Sequence, residues 1–278
     1  MDSQVVQTVG PDQLSRKGTN MTLTRTVLLG LALVLAACGG SGSSSGSSSP
    51  DAGSGSPDGS TSSVPAPFDP TRAYVPVIDP ADLSPDITNP LFPAPAGATW
   101  TYQAETEDGT ERTEISVESA TVVINGVDAR EVHDTVFLDD SMIEDTRDWF
   151  VEDGAGNVWY VGEDTAEYEN GMVVTTAGSW EWGVDGALPG VVMLAQPRVG
   201  DAYRQEFLAG EAEDYGEIVS LDESVEVPAG TFTGCLKTRD RTVVEPDADE
   251  SKFYCAGVGN VLTEEGDVRD ELLEYSGL

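Results

Sequence analysis

The sequence predicts an all-β fold in which an antiparallel meander of hairpins forms a strongly curved sheet or an incompletely closed barrel. Three observations indicate this fold class. Long segments with the apolar spacing of a helix are absent, short runs of β-branched and aromatic residues recur, and strong turn signals separate these runs. Because an open sheet leaves its edges unpaired, we expect the sheet to close or to cover them.

About ten to twelve antiparallel strands follow from this pattern. Asn125-Gly126 and Asn170-Gly171 mark the clearest hairpins, because both central residues of a type I′ turn need positive φ. In chain order, the short runs from which these strands are predicted lie at residues 100–104, 115–117, 121–124, 129–138, 148–151, 158–161, 172–176, 202–208, 217–221, 231–239, 252–255, 258–263 and 269–275.

Residues 178–200 are the exception, since Gly and Pro interrupt the strand pattern there. An irregular segment of this length is uncommon in a compact domain and is often functional. Two interpretations stay open. The segment could plug the open side of the sheet with Trp180 and residues 191–194, or it could contribute to a ligand site.

The N-terminal residues resemble a bacterial lipoprotein signal with its lipobox. An apolar run at residues 26–37 follows Arg25 and ends in Leu35-Ala36-Ala37-Cys38, before a Gly- and Ser-rich tract. The run has 12 residues, whereas a membrane-spanning helix needs about 20. The resemblance implies that Cys38 is acylated, so that lipid anchors the protein in the cell envelope, on the periplasmic or the outer-surface side. The alternative is an ordinary secretory signal. Translation could start at Met1 or at Met21.

The domain organisation follows from this signal and from composition. A Gly/Ser/Pro-rich stretch cannot bury enough apolar surface to fold, and as a flexible coil it would span about 30 Å. We therefore expect a tether between the membrane and a folded domain. The four segments are a signal peptide at 1–37, the lipidated Cys38 with a disordered linker at 38–67, an extended Pro-rich segment at 68–84, and an acidic all-β domain at 85–278.

The chain is strongly acidic, with 50 Asp and Glu residues against 14 Lys and Arg residues and a formal net charge of −36. Nucleic-acid binding needs clustered basic residues and is excluded on this ground. Cationic partners, divalent metal ions or simple solubility stay open. We expect a monomer that is held to the membrane by the lipid anchor alone.

Two cysteines are left once Cys38 is assigned to the anchor. Cys235 and Cys255 lie on predicted neighbouring strands of an exported protein, where disulfides form readily. If these two cysteines face each other, the antiparallel register pairs Lys237 with Phe253. We therefore predict a disulfide between them.

Sequence motifs for catalysis are absent. His133 is the only histidine, and no Gly-x-Ser-x-Gly elbow, P-loop or dinucleotide fingerprint occurs. We therefore predict a protein that is not an enzyme and has no cofactor. A carboxylate-based hydrolase is the third-ranked alternative, because paired acids can hydrolyse glycosides.

Carboxylates are the one abundant functional group, and Ca²⁺ takes six to eight oxygen ligands of this kind. The candidate metal ligands are Asp139, Asp140, Glu144, Asp145 and Asp148. No Asp-x-Asp-x-Asp-Gly spacing accompanies them. A Ca²⁺ site and a solvated acidic face are both open interpretations.

Residues 159–171, 178–187 and 199–206 resemble a family of exported bacterial proteins that has no assigned activity. Residues 227–232 and 253–259 are similar to strands of open-barrel periplasmic proteins in the style of lipoprotein carriers. Neither resemblance supplies a catalytic residue, and likeness of fold does not give function.

We therefore expect a membrane-tethered, non-enzymatic β lipoprotein that binds an unidentified small ligand or cation. The candidate ligand-binding residues are Trp180, Trp182, Asp185, Arg204 and Glu206. The last two lie two apart on one predicted strand and so should share a face. The alternative is a periplasmic lipid or lipoprotein carrier: a buried apolar tunnel would favour it, and a polar concavity would favour the first interpretation.

Overall fold

The computed structural model describes residues 69–278, and this part of the chain confirms the all-β fold. Apart from one short 3₁₀ helix at Pro80–Asp82, its regular elements are strands. The strands are β1 (Thr99–Thr106), β2 (Gly109–Ile124), β3 (Val127–Leu138), β4 (Ser141–Glu152), β5 (Val158–Glu169), β6 (Met172–Thr175), β7 (Trp180–Glu181), β8 (Leu188–Met193), β9 (Ala202–Arg204), β10 (Glu206–Phe207), β11 (Asp214–Val227), β12 (Gly230–Thr242), β13 (Glu250–Cys255), β14 (Gly259–Glu265) and β15 (Val268–Ser276).

These strands form one antiparallel sheet that curves into a nearly closed barrel. Around the wall the order is β10-β8-β5-β4-β3-β2-β1-β15-β14-β13-β12-β11-β9, and β6 and β7 also pair with β5. The two ends of this order meet at a seam, because β9 pairs with β11, β10 pairs with β8, and only Gln205 separates β9 from β10. Closure of this kind protects the edges of the sheet.

The seam requires a close approach of two backbones. A Cβ atom at Gly190 of β8 would lie 2.2 Å from the carbonyl carbon of Gln205. No side chain fits at that distance, so glycine is the residue that lets β8 reach the seam.

Residues 178–200 therefore differ from the irregular segment that the sequence predicts. They contain β7 and β8, and both strands pair with β5. Trp180 and Met193 are buried in the main apolar core. The prediction of irregular structure holds for residues 182–187 and 194–200. It is wrong for β8, where Pro189 and Gly190 sit inside the strand and the seam accommodates them.

The tight turns agree with the sequence signals. Asn125 and Gly126 have φ values of 47° and 81°, and Asn170 and Gly171 have values of 53° and 75°. Both pairs occupy the left-handed region that a type I′ turn requires. The Asn-Gly pairs therefore set the β2–β3 and β5–β6 connections.

The predicted disulfide is confirmed, with Cys235 bonded to Cys255 across β12 and β13. The predicted register is confirmed as well, since Lys237 pairs with Phe253 and Arg239 with Ser251. This bridge ties together the hairpin that carries Lys252.

The connections between strands lie at two opposite ends of the barrel. The connections at residues 107–108, 139–140, 243–249 and 266–267 lie at one end, which we call the distal end. The opposite end is crossed by residues 84–98, which precede β1 and which we call the plug. At that end Phe92 packs against Phe150 with ring centroids 5.0 Å apart.

A carboxylate clasp holds the plug. Glu152, at the end of β4, accepts hydrogen bonds from the backbone N–H groups of Thr88 (2.6 Å) and Asn89 (2.8 Å). It also accepts a bond from the Thr88 hydroxyl at 2.6 Å. Charge-assisted bonds of this kind are among the stronger ones in proteins, so the plug end is firmly closed.

Within residues 69–278, no helix is long and apolar enough to cross a membrane. The predicted signal peptide, Cys38 and the linker to residue 67 lie outside the described residues.

Candidate functional site

The barrel interior is divided into an apolar half at the plug end and an acidic half toward the distal end. The apolar half contains Phe92, Ile115, Val132, Phe150 and Leu272, all buried. The acidic half contains a set of buried carboxyl residues that we call the acidic band. Its members are Glu111, Asp134, Glu144, Asp148, Glu163, Glu206, Asp214, Asp240 and Asp270.

Strand alternation positions the band. On β4 the side chains of Glu144, Thr146, Asp148 and Phe150 are buried at every second residue, and the residues between them are more exposed. This is the period of a strand whose one face lines a core. Carboxyl groups thus occupy inward positions in which an apolar residue is expected.

One side of the band surrounds a buried ammonium group, and we call it the Lys252 side. The Lys252 side chain is 2% exposed, and its Nζ lies 3.3 Å from Glu250 Oε2 and 3.6 Å from Asp240 Oδ2. Gln205 Nε2 donates a hydrogen bond to the same Asp240 oxygen at 3.2 Å. Burial lowers the pKa of Lys252, but the carboxylates of Glu250 and Asp240 outweigh burial and raise it, so the group stays charged.

The other side of the band, the Asp134 side, comprises Glu111, Asp134, Glu144, Asp148, Glu163 and Asp270. Asp134 is 1% exposed, and neither of its carboxyl oxygens has a hydrogen-bond partner. Burial raises the pKa of Asp134 well above its usual range, and the nearby carboxylates of Glu144, Asp148, Asp270 and Asp145 raise it further. The charges that act on Asp134 are therefore all of its own sign.

Neighbouring acids on the Asp134 side share this behaviour. Burial raises the pKa of Glu144 to about 7 and that of Asp270 to about 7. Burial also raises the pKa of Asp148 to about 7, although the Tyr160 hydroxyl donates a 2.5 Å hydrogen bond to its Oδ1. A carboxyl group in such surroundings is neutral in mildly acidic solution.

An aromatic pair joins the two sides of the band. The rings of Tyr160 and Trp180 meet edge to face with centroids 5.2 Å apart. Tyr160 bonds to Asp148, and Trp180 Nε1 donates a 2.8 Å hydrogen bond to Glu206 Oε2. Glu206 lies between the sides, since the charges of Asp214, Asp148 and Lys252 all act on it.

The structure separates the five residues predicted to bind a ligand. Trp180 and Glu206 meet in the interior. Trp182 packs on a satellite cluster formed by Ile124, Val127, Ala129, Val151 and Val161, and Asp185 is exposed in a turn. Arg204 is covered by the N-terminal residues, where it donates to the Pro70 carbonyl and lies 3.4 Å from Glu213.

Arg204 and Glu206 were predicted to share one face of a strand, but they contact different groups. The strand breaks at Gln205, so β9 and β10 turn their side chains differently on the two sides of the break. Arg204 contacts the Phe207 ring at 4.8 Å, whereas Glu206 bonds to Trp180.

The five predicted metal ligands are not brought together either. Asp139 and Asp140 form an exposed turn, Glu144 and Asp148 point inward, and Asp145 points outward to His133 Nε2 at 3.0 Å. Adjacent residues of a strand face opposite sides. Among residues 69–278, no three carboxylate, histidine or cysteine side chains are placed to share a metal ion.

The sequence did not point to Asp134 or Lys252 as site residues. One signal was present, because Asp134 alternates with Val132 and Val136, whose spacing already marks the inward face of β3. An acid in phase with the apolar residues of a strand is a candidate interior group.

A small apolar cavity lies between the plug and the barrel wall. Its volume is about 40 Å³, and Phe92, Trp100, Tyr102 and Val132 are among its lining residues. Benzene occupies engineered apolar cavities of about 150 Å³. The cavity is therefore too small for an acyl chain while Phe92 stays in place.

Comparisons with known proteins give a distant structural likeness. No protein-family model matches the chain, and no curated protein matches it. Among solved structures it is similar to a protein of Parabacteroides distasonis ATCC 8503 that is provisionally described as a lipoprotein, with 14% identity and a TM-score of 0.37, over 67% of this chain and 98% of that one. Function has to be inferred from the site itself.

Proposed function

We propose that this protein is a lipid-anchored, non-enzymatic binding protein of the bacterial cell envelope whose acidic band takes up a compact ligand bearing an ammonium group. Cys38 supplies the anchor and residues 39–67 the tether. The observation that carries the ligand class is the contrast inside the band, where one side holds the ammonium of Lys252 and the other holds Asp134 without any hydrogen-bond donor.

Lys252 shows how the interior accommodates an ammonium group. Its Nζ is buried and faces the carboxylates of Glu250 and Asp240. A buried carboxylate without a donor or a counter-charge is costly. A ligand ammonium on the Asp134 side would supply both to Asp134.

The distal end offers such a ligand a route. Glu111 lies two residues after the start of β2, close to this end. Burial and the charge of Asp108 in the β1–β2 turn raise the pKa of Glu111 to about 7. The surrounding turns carry exposed acids at Glu107, Asp108, Asp139, Asp140 and Asp267. A rim of one charge raises the local concentration of the opposite ion.

An ammonium fits the band better than a divalent metal ion does. Among residues 69–278, no three acidic side chains are placed to share one metal ion, whereas a single carboxylate such as Asp134 is enough to neutralise an ammonium group. A hydrolase is also less well supported, because an acid and base pair needs pKa values pushed apart, and those of Glu144, Asp148 and Asp270 are all raised.

Isothermal titration calorimetry of the domain at pH 8, in a sodium buffer, tests the ligand class. Methylammonium and putrescine should bind, and tetramethylammonium, which has the charge but no N–H donor, should not. Asp134→Asn should abolish the binding, while Asp164→Asn, on the exposed face of β5, should leave it unchanged. Binding of CaCl₂ alone, or equal binding of tetramethylammonium, would overturn the ammonium class.

The anchor is tested separately on the full chain. Cys38→Ser should abolish incorporation of a labelled fatty acid and move the protein from the membrane fraction to the soluble fraction. Retention of the label in the serine variant would show that Cys38 is not the acylated residue.

A lipid carrier is the second candidate, and the apolar cavity beneath Phe92 is the observation that favours it. Its small volume means that Phe92 would have to move before a chain could enter. Solvent extraction of the purified protein distinguishes the candidates: the binding-protein proposal predicts no stoichiometric lipid, and a carrier predicts one that increases in Phe92→Ala.

A further inference from the structure

The Asp134 side of the acidic band gathers buried carboxyl residues from five strands, and neither carboxyl oxygen of Asp134 has a hydrogen-bond partner. These residues are Glu111 of β2, Asp134 of β3, Glu144 and Asp148 of β4, Glu163 of β5 and Asp270 of β15. The charges of Glu144, Asp148, Asp270 and Asp145 act on Asp134, which in turn acts on the phenol of Tyr102 on β1. Glu206 of β10 borders this side, since the charge of Asp148 acts on it, and the ammonium of Lys252 lies on the other side of the band.

Burial and mutual repulsion make this arrangement depend on protons. Two carboxylates that face each other in a dry interior cannot both stay charged at low cost. With protons bound, the same groups are neutral and can donate hydrogen bonds to one another. Folding of the Asp134 side therefore favours the protonated groups.

The two ends of the barrel differ in how they would respond to the loss of these protons. The plug end is closed by apolar side chains and by the Glu152 clasp. The distal end is closed by turns, where the amide of Asp139 donates to the Thr110 carbonyl at 3.0 Å and exposed acids crowd the rim. Repulsion inside the band is thus resisted at one end and reinforced at the other.

We propose that the acidic band is a proton-controlled gate: protonated, it keeps the distal end of the barrel closed, and on losing its protons it opens that end. The opening separates the distal parts of β1–β4, near residues 107–110 and 139–140, and leaves the plug end intact. This device is independent of any ligand, so it goes beyond the proposed binding function.

The sign of the effect follows from linkage. Glu111, Glu144, Asp148 and Asp270 hold protons in the closed barrel up to about pH 7, whereas exposed carboxyls lose them near pH 4. Opening therefore releases protons between these limits. For each proton released on opening, the equilibrium constant for opening rises about tenfold per pH unit. This rise ends above pH 7 to 8.

Amide hydrogen exchange of the ligand-free protein from pH 5 to pH 8.5 tests the gate. Protection factors, corrected for the intrinsic effect of pH, should fall at least about tenfold per pH unit in the distal parts of β2 and β4. The plug-end parts of the same two strands, residues 121–124 and 150–152, are the internal control and should change far less. Equal loss at both ends, or no loss at all, would overturn the proposal.

A matched pair of variants links the effect to the band. Asp134→Asn removes one titrating group, so distal protection at pH 8 should exceed that of the wild type and its pH dependence should be shallower. Asp164→Asn, on the exposed face of β5, should match the wild type. An Asp134→Asn variant with the wild-type profile contradicts the gate.

An infrared measurement avoids variants altogether. Protonated carboxyl groups absorb infrared light at a different frequency from carboxylates. The absorption of protonated carboxyl groups should be present in the folded protein at pH 6. As the pH rises, it should disappear over the same range in which the distal amides lose their protection from exchange. A folded protein without protonated carboxyls at pH 6 would overturn the gate, while leaving the ammonium proposal to be decided by calorimetry.

Discussion

On the Lys252 side of the acidic band, carboxylates surround a buried ammonium, whereas on the Asp134 side carboxyl groups face one another without a base. Asp240 has Lys252 and Gln205 as partners, but neither oxygen of Asp134 has any. The same residue type is thus stabilised by a counter-charge on one side and by protons on the other. The difference predicts opposite responses to pH and to neutralising substitutions.

The largest expected effect is on the pH dependence of the whole domain. The raised pKa values of Glu144, Asp148 and Asp270 mean that the folded chain holds protons that the unfolded chain releases. The free energy of unfolding should therefore fall between about pH 5 and pH 7, by about 1.4 kcal/mol per pH unit for each retained proton. Urea denaturation across this range measures it, and stability that rises toward pH 8 would contradict the description of the Asp134 side.

Loss of the buried ammonium should be the next largest effect. Lys252→Met leaves Asp240 and Glu250 without their counter-charge, and breaking a buried pair in this way costs about 3–5 kcal/mol. Lys237→Met is the matched control, because Lys237 lies over the Phe253 ring at 4.8 Å outside this cluster. Denaturant unfolding at pH 8 compares the two, and equal losses would show that Lys252 is not a structural ion.

The disulfide should affect stability without changing its pH dependence. Cys235 and Cys255 close a loop with a sequence separation of 20, which stabilises a fold by about 3 kcal/mol in the chain-entropy model. Replacing both cysteines with alanine should lower the unfolding midpoint equally at pH 5 and pH 8. A pH-dependent loss would mean that the bridge also positions Lys252 against its carboxylates.

The smallest expected effect distinguishes the two sides most directly. Asp134→Asn should stabilise the domain at pH 8, because burial and the neighbouring carboxylates raise the pKa of Asp134 well above its usual range, and should have little effect at pH 5. Asp240→Asn should destabilise the domain at pH 8, because Lys252 loses a partner. Thermal unfolding of both variants at the two pH values checks the signs, and a common sign at pH 8 would contradict the comparison.

The sequence was informative where local chemistry decides the structure. Asn125-Gly126 and Asn170-Gly171 make the turns that their φ requirements predict. The predicted pairing of Cys235 with Cys255 fixes the same register of β12 and β13 that the structure has. Alternation of apolar residues placed most strands.

The sequence was uninformative where long-range contacts decide it. A bulge between Trp149 and Phe150 shifts the pairing of β4 with β5, so that Phe150 and Tyr160 stack at 4.9 Å while Trp149 lies opposite Gly162. Counting by twos along β5 therefore cannot tell that Glu163 points inward. Gly162 allows β7 to pack closely against β5, since a Cβ at this position would lie 2.6 Å from the Trp180 carbonyl oxygen.

The sequence by itself determined an acidic all-β domain built from hairpins, together with its disulfide, because turns and alternation depend on near neighbours. Only the tertiary structure decided which carboxyl groups are buried together and which of them meet Lys252. Closure at the Gln205 seam and the bulges of the sheet set those contacts, and both depend on residues that are far apart in the chain.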